Sequence, residues 1–387
     1  MNTVNTERGS PVAFAVAWRI LTYQKGRTLL ATAGIFVAIL LIFVELGFFV
    51  AVPQGGLLVY DHMRFDLLVV SDKYVFQAES GTFPRDRLTK AAAVPEVAQA
   101  TGIYLGGAKW QDPQGGLRLD VAVLGIDPAA KPFAVDGIEA QTASLEKADT
   151  VLVDGSTRSL FGPLTPGRVI EIDGHKLTIG GTYGLGTGFI GLGVVLAGDA
   201  NFFRIFPLRP RDTVNYGLVT LKSGANLDAA ARAIRAALPA DTQVFTRAEL
   251  ESREVSYWTT RTATGLIFGS GLIVSVIVGI MVLYQTLATQ ISRQLPQFAT
   301  LKAIGYTNRY LDAIVTIESV LMMLVAFVPA FGAALAVYSV VRQQTLLPLS
   351  LSLANFSIVF AAVLVMAGIS AFLSLGALRR ADPAEVF

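Results

Sequence analysis

Four long apolar runs and one long mixed stretch divide this 387-residue chain. The apolar runs cover residues 28–52, 264–288, 312–341 and 356–378. At a rise of ~1.5 Å per residue, each is long enough to cross the ~30 Å hydrocarbon core of a bilayer. The mixed stretch, 53–263, separates the first run from the other three. The pattern predicts an α-helical membrane protein with four transmembrane helices in a 1+3 layout. A large α+β domain is expected between the first and second helices. Shorter connections fall at 289–311 and 342–355, with an N-terminal segment at 1–27 and a tail at 379–387.

Within the mixed stretch the periodicity changes from segment to segment. Residues 65–71, 119–126, 150–155, 168–174, 176–184 and 216–222 are rich in β-branched side chains and bounded by Gly, Asp or Pro, which predicts strands. Residues 84–100 and 226–240 read as helices, the second with Leu227, Ala231, Ile234 and Leu238 on one stripe. The order is β-α-β at each end, with a β-rich lobe inserted at about 120–210. Ahead of the first apolar run, residues 11–27 suit a short interfacial helix anchored by Trp18, or a simple extension of the span.

Charge sets the expected orientation. Residues 53–260 hold 20 Lys+Arg against 23 Asp+Glu, whereas the rest hold 11 against 6. Arg8, Arg19, Lys25 and Arg27 precede the first run, Arg293, Lys302 and Arg309 lie in the second connection, and Arg379 and Arg380 follow the last run. The positive-inside bias places these segments and both termini in the cytoplasm, and the large domain on the far side. The absence of cysteine then suggests a bacterial periplasmic domain that folds on its core alone. The expected location is the bacterial inner membrane. The first run is too long for a signal-peptide core and is read as a retained anchor.

No catalytic constellation stands out. The two histidines, His62 and His175, lack ligand-spaced neighbours, so no metal is expected, and there is no GxxxxGK[ST] loop to hold a nucleotide. The glycine-rich 180–188 stretch lies among strands and reads as a turn or loop rather than a phosphate cradle. The 291–309 segment is more informative. Leu295, Phe298, Leu301 and Ile304 fall close to one helical stripe, with Pro296 suited to a first turn and Gly305 to an αL stop. A short helix with apolar knobs there suits a groove on a cytoplasmic partner, the alternative being an ordinary connection lying on the headgroups.

That segment resembles the coupling helix of the FtsX-like, MacB-like ABC transporter permease family, on Leu-Lys-Ala-Ile-Gly at 301–305. Residues 17–35 resemble the family's entry into its first span, and 382–387 (DPAEVF) its terminal signature. LPQFATLKAIGY at 295–306 is most similar to DevC-type permease subunits, with Gln297 standing where glutamate is common. The resemblance implies a non-enzymatic homodimer docking a separate ABC ATPase through Leu295, Pro296, Gln297, Phe298, Leu301, Lys302, Ile304 and Gly305. It implies no cofactor on this chain, with ATP and Mg on the ATPase. Further implied partners are a periplasmic membrane fusion protein, an outer-membrane channel and membrane lipid, and no nucleic acid. The implied action is mechanotransmission, in which ATP-driven movement of the spans reaches the periplasmic domain and exports a lipid-like or amphiphilic substrate.

Polar groups within the runs carry separate expectations. Glu45 is read as a dimer-interface or substrate-facing group, or as an acid reaching the outer headgroups. Gly265 and Gly269 give a small-xxx-small spacing suited to close helix approach, with the family's dimer contact favoured over packing within one chain. Glu318 is expected to partner a cytoplasmic-side Arg, Lys or backbone donor, and Pro329 to kink its helix. Two rival readings stand beside the exporter: an FtsX-like regulator driving a periplasmic cell-wall hydrolase, and a ligand-sensing membrane protein.

Overall fold

The structure is a computed structural model that describes residues 14–15, 18–19, 25–113, 116–186, 188, 191–345 and 347–380. Most of the 11–24 stretch and the 382–387 signature lie outside these residues; Phe14 and Trp18 are exposed and stack on one another. The chain forms two compact units. One comprises residues 52–262 with 346–348, and the other the remaining residues.

Helix α1 spans Lys25–Asp61 and continues well past the expected end at 52, through Pro53, Gly55 and Gly56. The α/β unit then builds β1 (Leu67–Ser71), β2 (Phe83–Pro84), α2 (Asp86–Ala92), β3 (Val97–Gln111) and β4 (Leu119–Ile126). Two single-turn helices at 136–139 and 142–145 lead to β5 (Thr150–Asp154), β6 (Val169–Ile172), β7 (His175–Tyr183) and β8 (Val194–Gly198). Next come α3 (Asp199–Ile205), β9 (Thr213–Val214), β10 (Tyr216–Leu221), α4 (Leu227–Ala237), β11 (Thr242–Thr246) and α5 (Arg247–Thr260). The expected helix over 84–100 stops at Ala92, because Pro95 interrupts it and Val97 opens β3. Strand β3 is absent from the sequence reading since its alanines and glycines carry little β-branched signal.

Nine strands form one sheet in the order β11-β1-β10-β3-β4-β8-β5-β7-β6. Its first four strands are antiparallel and come from the two flanking β-α-β units, giving a split βαβ arrangement. The far end of the sheet curls back on itself. The end of β3 pairs with β6 through Trp110 with Ile172 and Gln111 with Glu171, closing β3-β4-β8-β5-β7-β6 into a barrel. The inserted lobe is therefore a closed barrel that borrows half of β3, and it begins earlier than the expected 120. Trp110 is buried at the closure, edge-on to Phe161 at 5.2 Å. Separate apolar cores line the two faces of the sheet.

The second unit contains the first part of α1 together with α6 (Ala263–Ala303), α7 (Asn308–Thr345) and α8 (Leu353–Arg380). Among the described residues, four helices are thus long and apolar enough to cross a membrane, one before the α/β unit in sequence and three after it. Their shared core holds Ile39, Phe43, Leu283, Met322, Phe327 and Val363. Serine hydroxyls join the helices: Ser319 donates to the Ala367 carbonyl at 2.9 Å, and Ser370 to the Ile280 carbonyl at 3.0 Å. Tyr338 donates to the Phe43 carbonyl, and Gly47 leaves the space its phenol occupies. Pro329 lies inside α7, which continues through it.

Candidate functional site

The segment expected to be a separate coupling helix is the last part of α6. Helix α6 runs unbroken for 41 residues and carries Pro296 in its interior rather than in a first turn. Its end is set by Gly305, at φ 103°. The Gly305 N–H donates to the Lys302 carbonyl at 3.0 Å and the Tyr306 N–H to the Leu301 carbonyl at 3.1 Å. This is the paired Schellman closure, which needs a residue free to adopt positive φ at that point. Helix α7 begins three residues later, with Tyr306 and Tyr310 stacked at 4.7 Å across the turn.

Burial divides the expected docking stripe in two. Phe298 is only 4% exposed and packs with Ile291, Leu311, Ile314 and Val315, with Leu295 and Leu301 half-buried against them. These side chains join α6 to α7 within one chain. They hold the turn in shape and are not free knobs, which corrects the expectation for Phe298. The surface consists of Ile304 at 70% exposure, Tyr306, Pro296, Gln297, Lys302 and Arg309. Tyr306 and Arg309 are additions; the stripe could not find them because they lie beyond the helix stop. The site is an apolar tip flanked by two cations.

The intramembrane candidates meet one another inside the chain. A β-carbon at Gly269 would lie 3.3 Å from the Phe49 ring, and one at Gly271 2.6 Å from the Glu45 carboxyl. Phe48 and Phe268 stack at 4.8 Å. The small residues of α6 thus accommodate α1 of the same chain, the alternative to a dimer contact at Gly269. Gly265 is buried. Glu45 Oε2 and Glu318 Oε1 are buried without hydrogen-bond partners. For Glu318 Oε1 the expected Arg, Lys or backbone donor is therefore absent among the described residues.

A second polar cluster, at the base of the α/β unit, has no counterpart in the sequence reading. It joins the end of α1, the loop after β1, and α5. Thr246 and Glu249 form a reciprocal capping box that starts α5, a T-x-x-E signal legible in the sequence. One turn and a half later Glu254 is 0% exposed. Tyr74 donates to its Oε1, and Trp258 Nε1 donates to its Oε2 at 3.3 Å. The Tyr74 and Tyr60 hydroxyls are 2.7 Å apart. Burial pushes the Glu254 carboxyl up to about 7, against the pull of the Tyr74 and Trp258 donors and the Arg253 charge. Gly56 faces the Trp258 indole so closely that a side chain there would collide with it. Phe76 stacks on Tyr257 at 4.9 Å.

The glycine-rich stretch splits between strand and loop. Gly180 and Gly181 lie within β7, while Gly186 and Gly188 take positive φ. A β-carbon at Gly188 would lie 2.7 Å from the Gly55 carbonyl, so the loop rests on the end of α1.

Two family models match the chain in succession. The MacB-like periplasmic core domain covers residues 28–237, more than half of the chain, and the FtsX-like permease C-terminal region covers 269–383. Solved structures similar to it include the periplasmic region of MacB from Actinobacillus actinomycetemcomitans, at 8% identity and a TM-score of 0.36, covering 49% of this chain and 92% of that one. The extracellular domain of the noncanonic ABC-type transporter YknZ from Gram-positive bacteria matches at 14% identity and a TM-score of 0.34, covering 47% and 100%. A domain of a permease protein from Porphyromonas gingivalis matches at 16% and 0.30, covering 47% and 87%. No curated protein matches significantly.

Proposed function

This chain belongs to the family of MacB-like permeases with an FtsX-like C-terminal region, and we propose that it is the membrane-spanning subunit of a bacterial ABC exporter. A separate ATPase binds the tip between α6 and α7, on the cytoplasmic side of the inner membrane, where the positive-inside bias puts it. ATP-driven displacement of that tip is passed along the helices to the periplasmic domain, which acts with a membrane fusion protein on a lipid-like or amphiphilic substrate. The DevC-type resemblance at 295–306 favours this arrangement over a hydrolase regulator.

The observation that carries the reading is the α6–α7 turn. Its shape is fixed by the Gly305 closure and the buried Phe298 cluster, while Ile304 and Tyr306 stay exposed beside Lys302 and Arg309. A rigid apolar tip with a cationic rim suits a groove on a soluble partner. Co-purification of the full chain with its partners, followed by an ATPase assay, tests this. Ile304→Asp is the informative variant, because Phe298 substitutions would damage the chain's own packing. Recovery of a cell-wall hydrolase in place of a fusion protein would move the assignment to the regulator.

Orientation is tested with a single cysteine, which the cysteine-free chain makes unique. Leu208, 97% exposed, is a better position than the half-buried Ser156. Labelling of Leu208→Cys from outside the inner membrane is expected; labelling only after that membrane is opened would reverse the topology.

A further inference from the structure

We infer that the base of the α/β domain is a proton-controlled clasp, in which Glu254 holds α5 to the loop after β1 and, through it, to the last turn of α1. The inference is separate from the exporter assignment. It rests on how the buried groups are connected. Glu254 on α5 takes a hydrogen bond from Tyr74 on the loop, and the Tyr74 hydroxyl meets that of Tyr60 on α1. Tyr216 on β10 stands edge-on to Tyr60 at 6.0 Å and donates to the Gln77 carbonyl of the same loop. Arg253 donates to the Tyr74 carbonyl at 2.8 Å and lies over the Tyr74 and Phe245 rings. One carboxyl therefore ties together three segments that are far apart in sequence.

The groups facing Glu254 define its titration. On its own helix they are Arg253 and Trp258, on the loop Tyr74, on α1 Tyr60, and on β10 Tyr216. Arg253 supplies the one positive charge among them, and its guanidinium is directed to the Tyr74 carbonyl. Ionised Glu254 thus has two neutral donors for a group that can accept about four hydrogen bonds. Water would serve the charged form better than the closed site does. The closed clasp consequently binds the proton more tightly than an opened, hydrated one, and by linkage deprotonation favours opening. The clasp is closed in acid and is released as the pH rises through neutrality.

The test uses the full-length protein in lipid nanodiscs. Spin labels are placed at Asp61→Cys and Glu251→Cys, both exposed, one on the end of α1 and one on α5. These substitutions also remove the Asp61 and Glu251 carboxyls. A narrow distance distribution is expected at about pH 5.5 and a broader one at about pH 8.5. Glu254→Gln, which mimics the neutral acid, is expected to stay narrow at both pH values. Tyr74→Phe removes a donor to the charged form and should move the midpoint to higher pH. A distribution that does not change with pH, or a pH response that survives in Glu254→Gln, would overturn the proposal. Should Glu254→Gln fail to fold, an unmoved midpoint in Tyr74→Phe overturns it equally.

Discussion

The two units bury carboxyl groups in opposite ways. In the α/β domain Glu254 lies completely inside the protein, yet both oxygens receive donors from named side chains. In the helical unit Glu318 is just as buried, and its Oε1 receives none. The serines nearby in the bundle spend their hydroxyls on backbone carbonyls instead. The difference follows from what surrounds each unit. A water-facing domain can close a sheet, exclude solvent and organise a polar network inside it. A set of membrane helices satisfies its backbone within each helix and joins neighbours by close packing and a few hydroxyl bonds.

The contrast predicts unequal sensitivity to substitution. The largest loss is expected where the barrel closes. Trp110→Ala removes a buried indole at the β3–β6 junction and should cost about 3–5 kcal/mol, read as denaturant or thermal unfolding of the α/β domain. A loss below about 1 kcal/mol would mean that the barrel does not depend on that closure.

Glu254→Gln comes next and has a distinctive pH dependence. The folded carboxyl titrates at about 7 and its ordinary value is 4.5. The folded state therefore holds the proton more firmly, so stability is full below the ordinary value and falls as the pH rises through 7. Glutamine avoids that fall. Its stabilising effect should approach about 3 kcal/mol above both values and vanish in acid. A thermal-shift series across pH checks the sign; an effect that grows toward acid would contradict it.

The smallest effect belongs to the helical unit. Tyr338→Phe deletes the hydroxyl bond to the Phe43 carbonyl while keeping the ring beside Gly47, and should cost about 0.6 kcal/mol. A cost several times larger would show that this unit too depends on its polar bonds.

Much of the plan was legible in the sequence, for identifiable reasons. The four apolar runs are long and uninterrupted, and the strands at 119–126 and 150–155 are rich in valine and leucine. Other features are tertiary. Strand β3 carries Gly102, Gly106 and Gly107, which weaken its local signal, and only pairing on both sides makes it a strand. The 289–303 stretch is helical as expected, but nothing local shows that it continues α6 or that Phe298 faces inward. Gly305 as the stop was readable because positive φ is a local requirement. The Glu254 cluster was not, since Tyr60, Tyr74 and Glu254 are brought together by the fold alone.

The ATPase rate of the partner co-purified with the full chain, compared with that obtained with Ile304→Asp, decides whether the α6–α7 tip docks a separate ATPase. Ile304 is 70% exposed, so its replacement should change the chain's own stability by no more than about 0.5 kcal/mol. A separate ATPase should be recovered with the unaltered chain, and the variant should insert normally but lose the ATPase or its stimulation. Full stimulation in the variant, or no ATPase recovered with the unaltered chain, would contradict it.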